Sequence, residues 1–338
     1  MVFSLKTPSP TKTATLSSLL LGYMQPLARI FVESASHNLG AFRIDDFRVV
    51  PTHGLEYQPC DLAVIYGLPN PLLDRARSRL RTDVFAKHAG PVLVVESAII
   101  GRIFLPPKGQ FGRWLLGRYR KPQQINPYMR LAVGGAFGPE ADFNNIDCPP
   151  DRWERLGLSI SPYRTTGDHV VLIGQTPNDA SLRGINMTTW IGETAETIRK
   201  HTDRPIHVRL HPGMGWREAE QIAMIVTRVP GTFVSPRDRS LHEDLAGAWA
   251  SISLSSGAAV ESMIAGIPAI TLSADSLAYS VTSHDLSDIE DPPLTAREQW
   301  LYDLAYAQWT EKEYQDGTAW RHIAPAVHRA FEAGSKIS

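Results

Sequence analysis

Cysteine and long apolar runs are scarce in this sequence. Two cysteines, Cys60 and Cys148, occur in 338 residues, which is too few for a disulfide framework and makes a reducing cytoplasm the expected compartment. The richest apolar stretch, residues 15–23, is short and interrupted by polar residues, whereas a membrane span needs about 20 apolar residues. We therefore expect a cytoplasmic protein without a membrane span.

Several nucleotide- and metal-binding motifs are also missing. No Gly-Lys-Ser/Thr Walker motif occurs, which disfavours a P-loop kinase or ATPase, and no Gly-x-Gly-x-x-Gly follows the first strand, which disfavours an ordinary dinucleotide dehydrogenase. A metal-binding Asp-x-Asp is lacking, and Asp288-Ile-Glu290 is only a loose approximation. The sequence therefore predicts neither a metal site nor a bound cofactor.

Net charge is close to zero, yet the two halves of the chain differ. Residues 1–165 carry a net charge of +7 and residues 166–338 a net charge of −8. This asymmetry indicates either two surfaces with different partners, or chance combined with solvated faces. With 43% apolar residues, the chain can bury the cores of about two domains of ordinary size.

Short apolar runs alternate with helix-like segments, which is typical of parallel sheets covered on both faces. Strands are predicted at residues 29–33, 61–67, 91–96, 169–174, 205–211, 231–235, 250–254 and 267–272. Helices are predicted at residues 71–87, 151–157, 188–201, 216–229, 240–250, 258–265, 296–313 and 319–332. Between residues 97 and 150 the pattern is irregular. We predict an α/β protein with two Rossmann-like, doubly wound parallel-sheet domains that face a central cleft.

One strand end in the second half combines hydroxyls with a helix start. Ser255, Ser256 and Gly257 follow a strand and lead directly into a helix, so that first-turn amides and hydroxyls would form an anion site suited to phosphate. Glu261, about one turn further, is placed to accept the hydroxyls of a ribose. The alternative is that the serines only cap the helix and Glu261 is solvated.

Two further strand ends carry polar residues. Arg209 and His211 share one face of a strand by the period of two, and they could bind a phosphate unless both are structural. Gly174 and Gln175 end another strand, and Ser181 lies just beyond; a glycine there allows a ligand to approach the backbone closely. Carboxyl ends of parallel strands lie on one edge of a sheet, so these residues are predicted to converge on a nucleotide.

These motifs resemble those of GT-B glycosyltransferases. His211-Pro212 and Ser255-Ser256 are similar to the HP and SS motifs of bacterial sialyl-, polysialyl- and capsule Kdo-transferases. Glu261 with Gly266-Ile-Pro268 is similar to the ribose-binding acidic residue and Gly-x-Pro turn of many GT-B enzymes. The resemblance implies that the C-terminal Rossmann-like domain binds a nucleotide-sugar and that no metal is required.

A closer resemblance, over most of the chain, is to phage-encoded glycosyltransferase-like proteins. It is carried by residues 134–143, 150–153, 174–181, 279–287 and 303–309. It implies a DNA-modifying enzyme in the bacterial host's cytoplasm, which transfers a sugar, with UDP-sugars favoured, to a 5-hydroxymethylpyrimidine base. Residues 1–160 would then bind the acceptor and residues 161–310 the donor, while a helix at residues 311–338 packs back toward the N-terminal domain.

Glycosyl transfer to a hydroxyl needs a base and a stabilised leaving group. Glu96 is the first candidate for the base, because a predicted strand delivers it to a carboxyl edge, and Asp142 in the irregular segment is the second. A transferase that retains the configuration of the sugar would not require a dedicated base.

Basic residues interleaved with aromatic ones predict the acceptor surface, because such segments bind phosphates and stack bases. The basic residues of this segment are Lys108, Arg113, Arg118, Arg120 and Lys121. A DNA acceptor base would have to be flipped out of the duplex. The same segment suits anionic glycans, so a transferase acting on a cell-surface or capsular glycan stays open. A nucleotide- or DNA-binding protein without catalysis is the alternative of another class, and the oligomeric state is not indicated.

Overall fold

The computed structural model describes residues 2–4, 30–33, 42–44, 47–49, 57, 62–69, 76–101, 103–105, 123–125 and 127–335. The chain forms two compact units. The first comprises Met1–Ala136, Glu140–Arg152 and Tyr302–Ser338, and the second comprises Phe137–Pro139 and Trp153–Leu301. The sequence-based boundaries at residues 160 and 310 lie a short way downstream of these change-over points, and the roles assigned to the two domains stay predictions.

The strands and helices follow the chain in a regular order. The strands are β1 (Val2–Ser4), β2 (Ile30–Glu33), β3 (Phe42–Ile44), β4 (Phe47–Val49), β5 (Leu62–Tyr66), β6 (Val92–Ser97), β7 (Ile103–Leu105), β8 (Gln123–Ile125), β9 (Tyr128–Val133), β10 (His169–Ile173), β11 (Ile206–Arg209), β12 (Thr232–Val234), β13 (Ala248–Ser253), β14 (Ala269–Thr271) and β15 (Gln308–Thr310). The α-helices are α1 (Ala76–Lys87), α2 (Asp151–Leu156), α3 (Met187–His201), α4 (Trp216–Val226), α5 (Leu241–Leu245), α6 (Ala258–Ile264), α7 (Glu298–Ala305), α8 (Glu311–Gln315) and α9 (Thr318–Ser335). Within the described ranges, no helix has the length and apolar character needed to cross a membrane.

The sheet of the second unit has the order β12-β11-β10-β13-β14, and its neighbouring strands are parallel. In chain order this is 3-2-1-4-5, the order of a Rossmann-type sheet, with the reversal between β10 and β13. Leu172 packs with Ile191 of α3 on one face, and Ile173 packs with Leu245 of α5 on the other. Because both faces are covered, the central strand β10 is buried along its whole length, and the predicted α/β fold class is confirmed.

The sheet of the first unit is mixed, with the order β1-β2-β5-β6-β9-β15. Its central strands β2, β5 and β6 are parallel, as predicted, whereas β1, β9 and β15 pair antiparallel with their neighbours. The prediction of one helix over residues 296–313 is wrong, because α7 ends at Ala305 and β15 follows. Trp309 is 2% exposed in β15, so pairing with β9 and burial override the helical pattern.

The core of the first unit joins residues that are far apart in sequence. Leu93 and Leu131 of the sheet pack with Trp320, Ile323 and Val327 of α9. Each of these five side chains has no exposed surface. The last helix is therefore part of the main core of this unit.

Candidate functional site

The reversal of strand order in the second unit brings the ends of β10 and β13 side by side. The two strands are paired, with Ile173 opposite Ser253. The segments that follow them, beginning at Gly174 and Leu254, therefore leave the same edge of the sheet as neighbours. In open α/β sheets ligands bind at such a reversal.

A buried hydrogen-bonded cluster fills this position. The side-chain amide of Gln175 donates from Nε2 to Oγ of Ser181 and Oγ of Ser255, each at 3.1 Å, and its Oε1 accepts the backbone N–H of Ser255 at 2.9 Å. All three residues are less than 10% exposed. The structure thus brings together three of the predicted donor-binding residues, which we call the Gln175 cluster, although their binding role stays a prediction.

Asp179 fixes the cluster from one side, and sequence reasoning did not assign it a role. Its Oδ1 accepts the backbone N–H and the hydroxyl of Ser181 at 2.9 and 2.7 Å. The hydroxyl of Ser181 donates its one hydrogen bond to Asp179, so toward Gln175 the Ser181 oxygen acts as an acceptor. The signal was an aspartate two residues before a serine at a helix start, the usual arrangement of an N-cap.

Gly174 has a packing reason for being glycine. A Cβ at this position would lie 2.8 Å from Cδ1 of Ile191 in α3. A larger residue would have to displace the end of the Ile191 side chain, which is fully buried. Gly174 therefore leaves room for close packing of α3 on the end of β10.

Ser256, Gly257 and Glu261 follow the cluster along the chain. Ser256 Oγ accepts the backbone N–H of Ala258 at 3.2 Å, and Gly257 is the N-cap of α6. The capping function considered for the serine pair is thus confirmed for Ser256. Glu261 lies exposed on α6, and contact of these three residues with a donor stays a prediction.

His211 lies two residues beyond β11, and its Nδ1 is a hydrogen-bond acceptor. Its Nδ1 accepts the backbone N–H of Gly213 at 2.9 Å and lies 2.8 Å from Oγ1 of Thr176. An imidazole nitrogen that accepts an amide proton carries none itself, so the proton of the neutral ring is on Nε2. Thr176, which sequence reasoning missed, ties this histidine to the segment after β10.

The guanidinium of Arg209 is engaged within the protein. It donates to the carboxylate of Asp244 and, at 2.9 Å, to the backbone oxygen of Arg239. The side chain of Asp244 has no exposed surface. Breaking a buried pair of this kind costs about 3–5 kcal/mol, so the structure gives Arg209 a structural role, and its predicted donor contact is untested.

An ion pair that sequence reasoning missed joins the segments after β10 and β14. Nε and Nη2 of Arg183 donate to the two carboxylate oxygens of Asp275 at 2.9 and 3.0 Å. Farther along, the ring of His284 stacks on Tyr279 with centroids 3.5 Å apart and donates from Nδ1 to the backbone oxygen of Thr271. The motif at residues 279–287 therefore forms a hydrogen bond to β14, the edge strand of the sheet.

The two candidate bases lie in the first unit. Glu96 stands at the end of β6, and its Oε1 accepts the backbone N–H of Ser97 at 2.7 Å. A Cβ on Gly67 would lie 3.3 Å from Glu96 Oε2. Asp142 is more fully engaged: Oδ2 pairs with Arg329 at 2.7 Å, and Oδ1 accepts the backbone N–H of Asn144 at 2.8 Å.

The predicted acceptor residues Lys108, Arg113, Arg118, Arg120 and Lys121 lie outside the described residues. In the part of the chain that the structure describes, no group of three or more His, Cys, Asp or Glu side chains is arranged to hold a metal ion.

No protein-family model and no curated protein sequence matches the chain. Among solved structures, it is similar to two structures of KpsC from Thermosulfurimonas dismutans. For the beta Kdo 2,7 transferase the identity is 15%, with 76% of this chain and 84% of that chain covered and a TM-score of 0.41. For the beta Kdo 2,4 transferase the identity is 14%, with 80% of this chain and 87% of that chain covered and a TM-score of 0.45. The heptosyltransferase WaaC of E. coli is similar at 14% identity over 64% of this chain and 63% of its own, with a TM-score of 0.24.

Proposed function

We propose that this protein is a glycosyltransferase of the GT-B type that transfers a sugar from a nucleotide-sugar, with UDP-sugars favoured, to a hydroxyl acceptor. The observation that carries the proposal is the Gln175 cluster, which stands at the reversal point of a sheet in Rossmann order. The SS motif contributes Ser255 to this cluster, and the HP motif follows the neighbouring strand β11.

The donor diphosphate in this proposal lies over the ends of β10 and β13. When the bond between the anomeric carbon and the phosphate oxygen breaks, negative charge collects on that oxygen. Nε2–H of His211 and the hydroxyl of Ser256 donate to it, and each hydrogen bond to a charged group contributes about 1.5–3 kcal/mol. Glu261 accepts the ribose hydroxyls.

Glu96 is the base that we propose in preference to Asp142. Both oxygens of Asp142 are taken up by Arg329 and the Asn144 amide. Oε2 of Glu96 lies 3.3 Å from the Cβ position of Gly67, a point that is also 3.4 Å from Nη1 of Arg81. Glu96 would accept the proton of the acceptor hydroxyl as the new glycosidic bond forms. Transfer in this scheme requires no metal.

The acceptor that we propose is a 5-hydroxymethylpyrimidine base in DNA. Its support is the sequence alone: the basic and aromatic segment at residues 108–121 and the net charge of +7 on residues 1–165. An anionic cell-surface or capsular glycan would meet the same charges.

The test is transfer of label from a panel of radiolabelled nucleotide-sugars in buffer with EDTA. The acceptors are hydroxymethylated duplex DNA, unmodified duplex of the same sequence, and an anionic capsular oligosaccharide. We expect label in hydroxymethylated DNA alone, and His211→Ala to lower the rate at least tenfold while His242→Ala, an exposed histidine of α5, does not.

Each other outcome has a definite meaning. Label only in the oligosaccharide overturns the DNA acceptor and keeps the transferase. Activity that appears only when a divalent metal is restored overturns metal independence. Neither transfer nor release of free nucleotide with any donor overturns the transferase and favours a binding protein without catalysis.

A further inference from the structure

Arg183 lies next to the Gln175 cluster, one residue after a short 3-10 helix, Ala180–Leu182. Its backbone adopts a left-handed conformation with φ 50°, which is uncommon for residues other than glycine and is concentrated at functional sites. The backbone N–H of Arg183 closes the helix by donating to the Ala180 oxygen. The origin of its side chain is thus fixed relative to Ser181 and Ser255.

The ion pair with Asp275 reaches across the end of β13. Arg183 belongs to the segment after β10 and Asp275 to the segment after β14, and β13 lies between these two strands in the sheet. The pair therefore links the two segments that leave the sheet on either side of β13. Ser255 and Ser256 begin the segment that follows β13.

Exposure distinguishes the two partners. Asp275 has a side chain that is 9% exposed, whereas the side chain of Arg183 is 50% exposed. A buried carboxylate therefore holds a guanidinium that faces solvent at the ligand-binding edge. Arg209, the arginine that the sequence suggested for this purpose, is only 12% exposed and paired with Asp244.

We propose that Arg183 binds the diphosphate of the donor and that Asp275 is its positioning residue. This inference rests on the proposed function and names the cation that the site requires. A guanidinium has five N–H donors, so it can hold a carboxylate and contact a phosphate at the same time, and it keeps its charge at any working pH. Asp275 fixes the plane of the guanidinium by holding Nε and Nη2.

The chemical step balances without further reactants. The bond from the anomeric carbon to the phosphate oxygen breaks, and its electron pair stays on the departing nucleoside diphosphate. The acceptor oxygen forms the new bond, and its proton passes to the base. Arg183 transfers no proton and stabilises the charge on the leaving group.

The test is calorimetric binding of UDP, inorganic pyrophosphate and uridine to the full chain and its variants. Arg183→Gln should weaken UDP and pyrophosphate at least tenfold, because it removes the charge, and should leave uridine unchanged. Arg183→Lys should restore only part of the affinity, because an ammonium has fewer N–H donors than a guanidinium. Asp275→Asn should fall between wild type and Arg183→Gln.

The matched control is Arg228→Gln, an exposed arginine just beyond α4, which should bind like wild type. Unchanged UDP and pyrophosphate affinity in Arg183→Gln would overturn the proposal, even if sugar transfer is observed. Loss of UDP and pyrophosphate affinity in Arg183→Gln but not in Arg228→Gln, without sugar transfer to any acceptor, would support the diphosphate site and overturn the transferase. A wild-type chain that binds neither UDP nor pyrophosphate would overturn both, and equal unfolding temperatures check that the variants fold.

Discussion

At the scale of single residues, the first unit contains a histidine held in an unusual environment. His322 on α9 donates from Nε2 to the backbone oxygen of Phe143 at 3.1 Å. Its ring lies 4.8 Å from that of Trp309, and Arg152 stacks on the same tryptophan at 4.0 Å. Burial lowers the pKa of His322 from 6.5, and the charge of Arg152 lowers it further against the opposing hydrogen bond to Phe143.

The lowered pKa of His322 predicts that the folded chain loses stability in mild acid. Because the pKa of His322 is lower in the folded chain than in the unfolded chain, stability is complete above about pH 6.5 and falls as the pH drops toward the folded value. Urea unfolding between pH 8 and 5 measures the slope. His322→Gln, which keeps a donor for Phe143, should flatten it.

The control for this slope is His328→Gln on the same helix, and the change of slope in His322→Gln should exceed the change in this control. The slope should not vanish in His322→Gln, since burial and the nearby His169 also lower the pKa of His207. An identical slope in wild type and His322→Gln would contradict the prediction.

Residues of the candidate site were predictable where they directly follow a strand, because the end of that strand fixes their position at the edge of the sheet. Gln175, Ser181 and Ser255 follow apolar strands, and they do meet at one edge. The partner of Arg183 was not predictable, because Asp275 is 92 residues away and nothing local couples them. The two-residue repeat of a strand predicts which face of β11 carries Arg209. Only the tertiary structure shows that Asp244 pairs with Arg209 on that face.

At the scale of elements, a glycine decides how α6 joins β14. Gly266 has φ +75°, and a Cβ there would lie 2.0 Å from the backbone oxygen of Pro162. The backbone of Arg164 also donates to the Gly266 oxygen at 2.8 Å. The Gly-x-Pro turn is thus shaped by an extended segment that packs directly against it.

Gly266→Ala should therefore lower the free energy of unfolding of the second unit by much more than the cost of placing an alanine in the left-handed conformation. Gly157→Ala is the matched control, since Gly157 has φ +65° with nothing within 4 Å of its Cβ position. Left-handed backbone costs an alanine about 1 kcal/mol. The difference between the two variants in urea unfolding isolates the clash, and equal losses would contradict the close approach.

Strands buried on both faces were the most predictable elements. The cores of β5, β6 and β10 are continuous apolar runs at residues 62–65, 92–95 and 170–173, and their burial follows from composition alone. β9 and β15 were not predicted, because their sequences contain Arg130 and Gln308. Arg130 is buried by bonds to the Ser97 and Ala136 oxygens, and Gln308 by bonds to the Ile100 backbone.

At the scale of the whole molecule, the two units have separate cores. The core of the first is built on β5, β6, β9 and α9, and that of the second on β10, β11, β13 and the helices around them. Separate cores allow separate cooperative unfolding. A destabilising substitution in one core should therefore leave the hydrogen-exchange protection of the other core unchanged.

Trp320→Ala is the variant that tests this independence. Trp320 has no exposed surface in the first unit, and removing such a side chain costs about 3–5 kcal/mol. Hydrogen exchange should speed up in β6 and β9 but not in β10 and β13. Trp216→Ala, at a tryptophan that is 68% exposed, should change neither, and equal acceleration in both sheets of Trp320→Ala would show a single cooperative block.

The entry of α9 into the first core has a consequence for the newborn chain. Domains tend to fold as they leave the ribosome, and the second unit has its strands and helices once Leu301 has emerged. The first unit is by then only partly outside the ribosome, since β15 and the residues Trp320, Ile323 and Val327 emerge later. The earlier segment of the chain must therefore wait with Leu93 and Leu131 uncovered, and the later-made unit is the first to mature.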